Sequence, residues 1–157
     1  PDRGAAVSRL LAYAETDTLC YRADPDEPLY RRQQELWEPL VAACEARHGV
    51  RLERVSGIVH RPQQRETVER LETILAGLDA FQLAALETLT ALAASLVAGL
   101  AALGQGADPD ALFAAANGEE DWQAEQWGWD AQAEARRAVR LEAFRQAAEF
   151  ARLARSG

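Results

Sequence analysis

Lysine is absent: all 17 basic side chains other than the two histidines are arginine. Methionine is absent too, and cysteine occurs only as Cys20 and Cys44. Two cysteines without CxxC spacing cannot frame a disulfide-rich scaffold, and they read instead as structural thiols of a reducing compartment. Positive charge is in deficit, with 17 basic against 25 acidic residues and a net charge of -8. That balance repels a phosphate backbone and argues against nucleic acid as a partner. There is no glycine-rich phosphate loop and no GxSxG elbow. A membrane span is not encoded either. Residues 88–104 carry no charge, but alanine, threonine and serine dilute them and Glu87 precedes them, short of the ~20 strongly apolar residues a spanning helix needs. The chain opens at Pro1 without a leader, which is expected of a fragment or a processed product.

What is present is a globular balance, 48% hydrophobic and 27% charged residues in a chain of 157, enough for one domain with its own core. Val7, Leu10, Leu11 and Ala14 fall at helical spacing and predict a short helix over 5–15. Residues 18–22 turn toward strand formers before Pro25 and Pro28 interrupt them. A second helix is predicted from Leu29 to His48, with Leu36, Trp37, Leu40, Val41 and Cys44 inward, Gly49 as its stop and Pro39 kinking or dividing it. Alternation makes residues 50–59 the best strand, a candidate to pair with 18–22. Helical spacing returns from Gln64 to Leu75. Asp79 then caps a predicted long, buried helix to Leu103. Asp108 and Pro109 open a short helix ending near Asn117 and Gly118, and a last helix runs from the acidic Glu119–Asp121 stretch to Leu153, with Gly128 inside it. The fold class is mainly α: a helical bundle with a small two-stranded β element.

Catalytic signals are thin. Glu15, Asp17, Cys20 and His48 could serve a small thiol or metal-dependent hydrolase, but carboxylates near a helix end more often make turns. Cys20, Cys44, His48 and His60 are zinc-ligand types; only Cys44 and His48 share a helical face. The densest feature is residues 119–137, EEDWQAEQWGWDAQAEARR. On one helix, Trp122, Gln126, Trp129 and Ala133 would form one stripe and Gln123, Trp127, Asp130 and Glu134 another. The tryptophans could fill the core while the carboxylates pair with Arg136, Arg137 or Arg140, at ~0.2–0.5 kcal/mol per pair. They also fit a protein-binding surface, because aromatic anchors dominate interface energy.

Four segments in order and at matching spacing, YAETDTLCYRA (13–23), RQQELWEPLV (32–41), FQLAALETLTALAASLVAGLA (81–101) and the 119–137 stretch, resemble the ATP-twelve type assembly factors. These are chaperones of the α subunit of the ATP synthase F-one sector. The resemblance runs from about Ala12 to Arg145. It implies a single helical domain over 1–157, the C-terminal domain of a chaperone whose N-terminal β-rich domain is not represented. It further implies a monomer that is not an enzyme, binds the free α subunit, uses no cofactor or metal, and works in the bacterial cytoplasm or, in a eukaryote, the mitochondrial matrix. The partner-binding positions it carries over are Glu120, Gln123, Glu125, Trp127, Asp130 and Glu134. Departures stand at Trp129, where a charged or small residue is expected, at Gln132, often Glu, and at Ala94 and Ser95, where the pattern is Gly-Ser.

Overall fold

Asp2 accepts a hydrogen bond from the Ala5 amide and starts α1 (Arg3–Glu15), whose buried face is Ala6, Val7, Leu10 and Ala14. The computed structural model describes residues 2–57 and 59–156. A single 3-10 turn, Thr18–Cys20, leads into β1 (Tyr21–Arg22). Next comes α2 (Pro28–His48), with proline in its first turn and Gly49 closing it at φ 67°, a left-handed conformation that glycine adopts at little cost. Pro39 does not divide this helix. It faces solvent, as does Glu35, so water can serve the carbonyl that the missing N–H leaves unbonded.

The predicted strand at 50–59 contracts to β2 (Val55–Ser56); Ile58 lies outside the described residues. β2 pairs with β1 in parallel, Tyr21 opposite Val55 and Arg22 opposite Ser56. The approach to it is held by side chains instead: Glu45 accepts from the Leu52 amide at 2.8 Å and Gln63 from the Glu53 amide at 2.9 Å. The remaining helices are α3 (Arg65–Ala76), α4 (Ala80–Ala93), α5 (Leu96–Leu103), α6 (Pro109–Ala116), α7 (Gly118–Trp127) and α8 (Ala131–Ser156).

Four of these, α4 with α5 and α7 with α8, replace two longer predicted helices. The apolar run expected as one helix to Leu103 breaks at Ala94, which sits at φ 52°, ψ 37°, and restarts at Ser95, whose hydroxyl caps α5 through the Ala98 amide. The last predicted helix breaks at Gly128, φ 92° and ψ 157°, a backbone state that side-chain-bearing residues rarely adopt. Asp130 then restarts the chain by accepting from the Gln132 amide at 3.3 Å.

In the core, α4 lies against α5 and α8, while α1 packs on α3, α4 and α5. Trp37, Phe113, Phe144, Leu86, Leu89 and Leu96 are fully enclosed. The α4–α5 crossing is close because Gly99 has no side chain: a Cβ there would stand 2.4 Å from the Thr90 hydroxyl and 3.0 Å from a Leu86 methyl.

Candidate functional site

The first two sequence motifs fold into internal scaffolding. The carboxylate of Asp17, buried at the end of α1, accepts from the Leu19 amide at 3.0 Å and the Val97 amide at 2.9 Å. It therefore caps both the 3-10 turn and the start of α5. Burial pushes its pKa up, against the opposing pull of its bonds to Ser95, Val97, Leu19 and Leu96. Arg22 is also buried, donating to the Leu19 carbonyl, Gln34 and Glu38. Gln33 accepts from the Ala23 amide at 2.8 Å, and Trp37 donates from Nε1 to the Ala115 carbonyl at 2.6 Å. Arg54 links Glu38 and Glu45.

The candidate catalytic and metal residues are spent in the same way. Glu15 accepts from the Gln63 amide at 3.1 Å. Burial, followed by the Asp17 charge, pushes the Cys20 thiol far above its ordinary range, and Cys44 is pushed up to about 12, by burial first. Neither supplies thiolate near neutral pH. His48 lines a shallow groove with Cys44, Arg47 and Val97, and its pKa is lowered by burial and by Arg47 and Arg70. His60 stacks on Tyr21 instead, with centroids 6.0 Å apart. Among the described residues, no group of three His, Cys, Asp or Glu side chains is placed to hold a metal ion.

The 119–137 stretch is different. Because Gly128 ends α7, the two stripes expected on one helix do not form; Trp129 falls in the joint rather than beneath Trp122. The carboxylates of the 119–137 stretch divide into two sets. Asp121 takes a two-point bond from Arg137 of α8 at 2.8 and 2.7 Å, Glu125 one from Arg32 of α2 at 2.8 Å each, and Glu120 a looser contact from Arg140 at 3.5 Å. Arg140 also donates to the Leu92 carbonyl and to Asn117, and both Arg137 and Arg140 lie 5.4 Å from the Phe113 ring centre. Facing out are Gln123, Trp127, Asp130 and Glu134, all exposed. Trp127 is 86% exposed and Trp129 43%. Glu134 has no ion pair among the described residues, and the Asp130 side chain only its bond from the Gln132 amide. The structure thus leaves Gln123 and Trp127 of α7, Asp130 of the joint and Glu134 of α8 exposed, while Glu120 and Glu125 turn to arginines of the same chain.

Known proteins share this architecture. The family model described as ATP12 chaperone protein matches residues 1–45. The mitochondrial atp12 protein of Schizosaccharomyces pombe is 29% identical over 127 residues, covering 77% of this chain and 44% of that protein. The crystal structure of Atp12 from Paracoccus denitrificans superposes with a TM-score of 0.90 at 38% identity, over 95% of this chain and 64% of that one.

The chain is similar to ATP12 chaperone proteins over nearly its whole length.

The Atu1473 protein of Agrobacterium tumefaciens is similar as well, with a TM-score of 0.87 and 35% identity over 96% of this chain and 57% of that one. The chain therefore spans less than half of the curated ATP12 relative and under two thirds of the two solved ones. The departures from the ATP12 pattern acquire physical content in the structure. Ala94 occupies a left-handed position, where the resemblance leads one to expect glycine, and Ser95 caps α5. Trp129 adds a second exposed indole next to the first. Sequence reasoning missed Arg32 and its partnership with Glu125, 93 residues apart; nothing in local spacing signals a bond across that separation.

Proposed function

We propose that this chain is an assembly chaperone that binds the free α subunit of the F-type ATP synthase, covers the surface that later meets the β subunit, and docks through the α7–α8 corner. The observation that carries the docking surface is Trp127, a large indole 86% exposed, with exposed Gln123 one turn before it in α7 and exposed Asp130 and Glu134 following it in the chain. Exposed aromatics rimmed by polar groups are typical anchors of protein interfaces. The flanking carboxylates suit a partner with basic groups around an apolar pocket. Similarity to proteins described as chaperones supports the function itself. The reading is of binding, not catalysis: Asp17, Cys20 and Glu15 already serve the fold.

Co-expression with the α subunit, the β subunit or neither, followed by pull-down and soluble yield, tests it. Selective recovery of soluble α is the expected result; equal recovery of α and β, or of neither from folded material, would count against it. Trp127→Ala should weaken α capture by about 2 kcal/mol or more if the indole is a hot spot, leaving circular dichroism and melting unchanged. A collapse in melting would instead make Trp127 structural.

A further inference from the structure

α7 has little apolar anchorage. Of its ten residues only Gly118 is fully buried, Trp122 and Ala124 are half-buried, and the residue that closes it is Gly128, whose Cβ position meets nothing within 4 Å. Charge does the fixing. Arg32 of α2 grips Glu125 through Nη1–Oε2 and Nη2–Oε1, 2.8 Å each. Arg137 of α8 grips Asp121, one turn earlier, through Nε–Oδ1 at 2.8 Å and Nη2–Oδ2 at 2.7 Å. A two-point guanidinium–carboxylate bond constrains direction as well as distance. Two such bonds, from two different helices, set the rotation of α7 about its own axis. That rotation decides where the face bearing Gln123 and Trp127 points.

We infer that Arg32 and Glu125 are positioning residues of the docking corner: the pair aims Trp127, and Glu125 takes part in capture without touching the partner. The inference rests on the docking reading above. Both oxygens of Glu125 are already engaged, so a partner cation would have to displace Arg32 and leave it unpaired, an exchange with little net gain. Asp130 and Glu134 carry no such obligation and are the carboxylates left to meet a basic partner.

The test compares Arg32→Glu, Glu125→Arg and the double charge swap, reading purified α-subunit affinity and amide hydrogen exchange across α7. Each single reversal should weaken capture about fivefold, as loss of one exposed bidentate pair implies, and should raise exchange in residues 121–127 with melting unchanged. The swap rebuilds the pair and should restore both readouts. Weak capture persisting in the swap, with exchange restored, would show that Glu125 meets the partner directly and overturn the inference. Unaltered α7 exchange in the single variants would overturn it as well. A Trp127→Ala variant that captures α normally would defeat the docking reading itself, an outcome told apart because the exchange response to Arg32→Glu needs no partner.

Discussion

Ala94 is the residue most at odds with its backbone. An L-residue in the left-handed helical region costs roughly 1–2 kcal/mol, yet the break needs that conformation: the Ser95 amide reaches the Thr90 carbonyl at 3.1 Å and the Ala94 carbonyl receives the Thr18 amide at 3.1 Å. These bonds turn the chain out of α4 and into the cap of α5. Ala94 is exposed, so its methyl contributes no core packing. Ala94→Gly should therefore stabilise the protein, by about 1 kcal/mol after the greater freedom of glycine in the unfolded chain is subtracted. The check is a higher urea midpoint at unchanged m-value. Asp17, by contrast, is the side chain that the break depends on, with one carboxylate joining the end of α1 to the start of α5.

Among the elements, the α4–α5 crossing is held close at Gly99. Helix propensity alone would favour Gly99→Ala by about 1 kcal/mol. Here the new methyl would meet the Thr90 hydroxyl and Leu86, and overpacking of that kind costs about 1–3 kcal/mol. Gly99→Ala should lower the melting temperature, and adding Thr90→Ala should recover most of the loss, a coupling that a double-mutant cycle reads directly. How much of such architecture the sequence discloses depends on the range of the forces involved. Helix faces, the Asp79 and Asp108 caps and the Gly49 stop are local and were legible. The break at Ala94 was masked because alanine gives no turn signal, although Ser95 is a good cap. The break at Gly128 had its signal, a glycine followed two residues later by Asp130, but the residues around it read as two stripes running unbroken along one helix. In the docking corner, residue types were legible, whereas the division of carboxylates into paired and open sets depends on arginines from α2 and α8 and was not.

Across the whole molecule, ion pairs take the place of a larger sheet. Arg54 bonds Glu38 and Glu45 across the segment leading to β2. The Arg54 bond holds Glu38 below the ordinary glutamate range; burial pushes Glu45 up, but Arg54 and the Leu52 amide together bring it below that range. Carboxylates with lowered folded pKa values stabilise the fold above their unfolded pKa and lose that contribution as pH falls through the folded value. Melting temperature should thus decline on acidification from about pH 5 toward pH 3. Arg54→Met should melt lower than the parent at pH 7, with the gap narrowing at the acid end. A gap independent of pH would mean that Arg54 acts through packing alone.

The seat of α8 on α4 also has a consequence in time. Phe144, which helps close the core over α4, is translated roughly fifty residues after Ala93, on the order of several seconds at ordinary elongation rates. Until then the uncharged stretch through α5 has no lid, and the unfinished chain presents an apolar flank of its own. A protein proposed to shelter another subunit is, during its own synthesis, briefly in need of shelter.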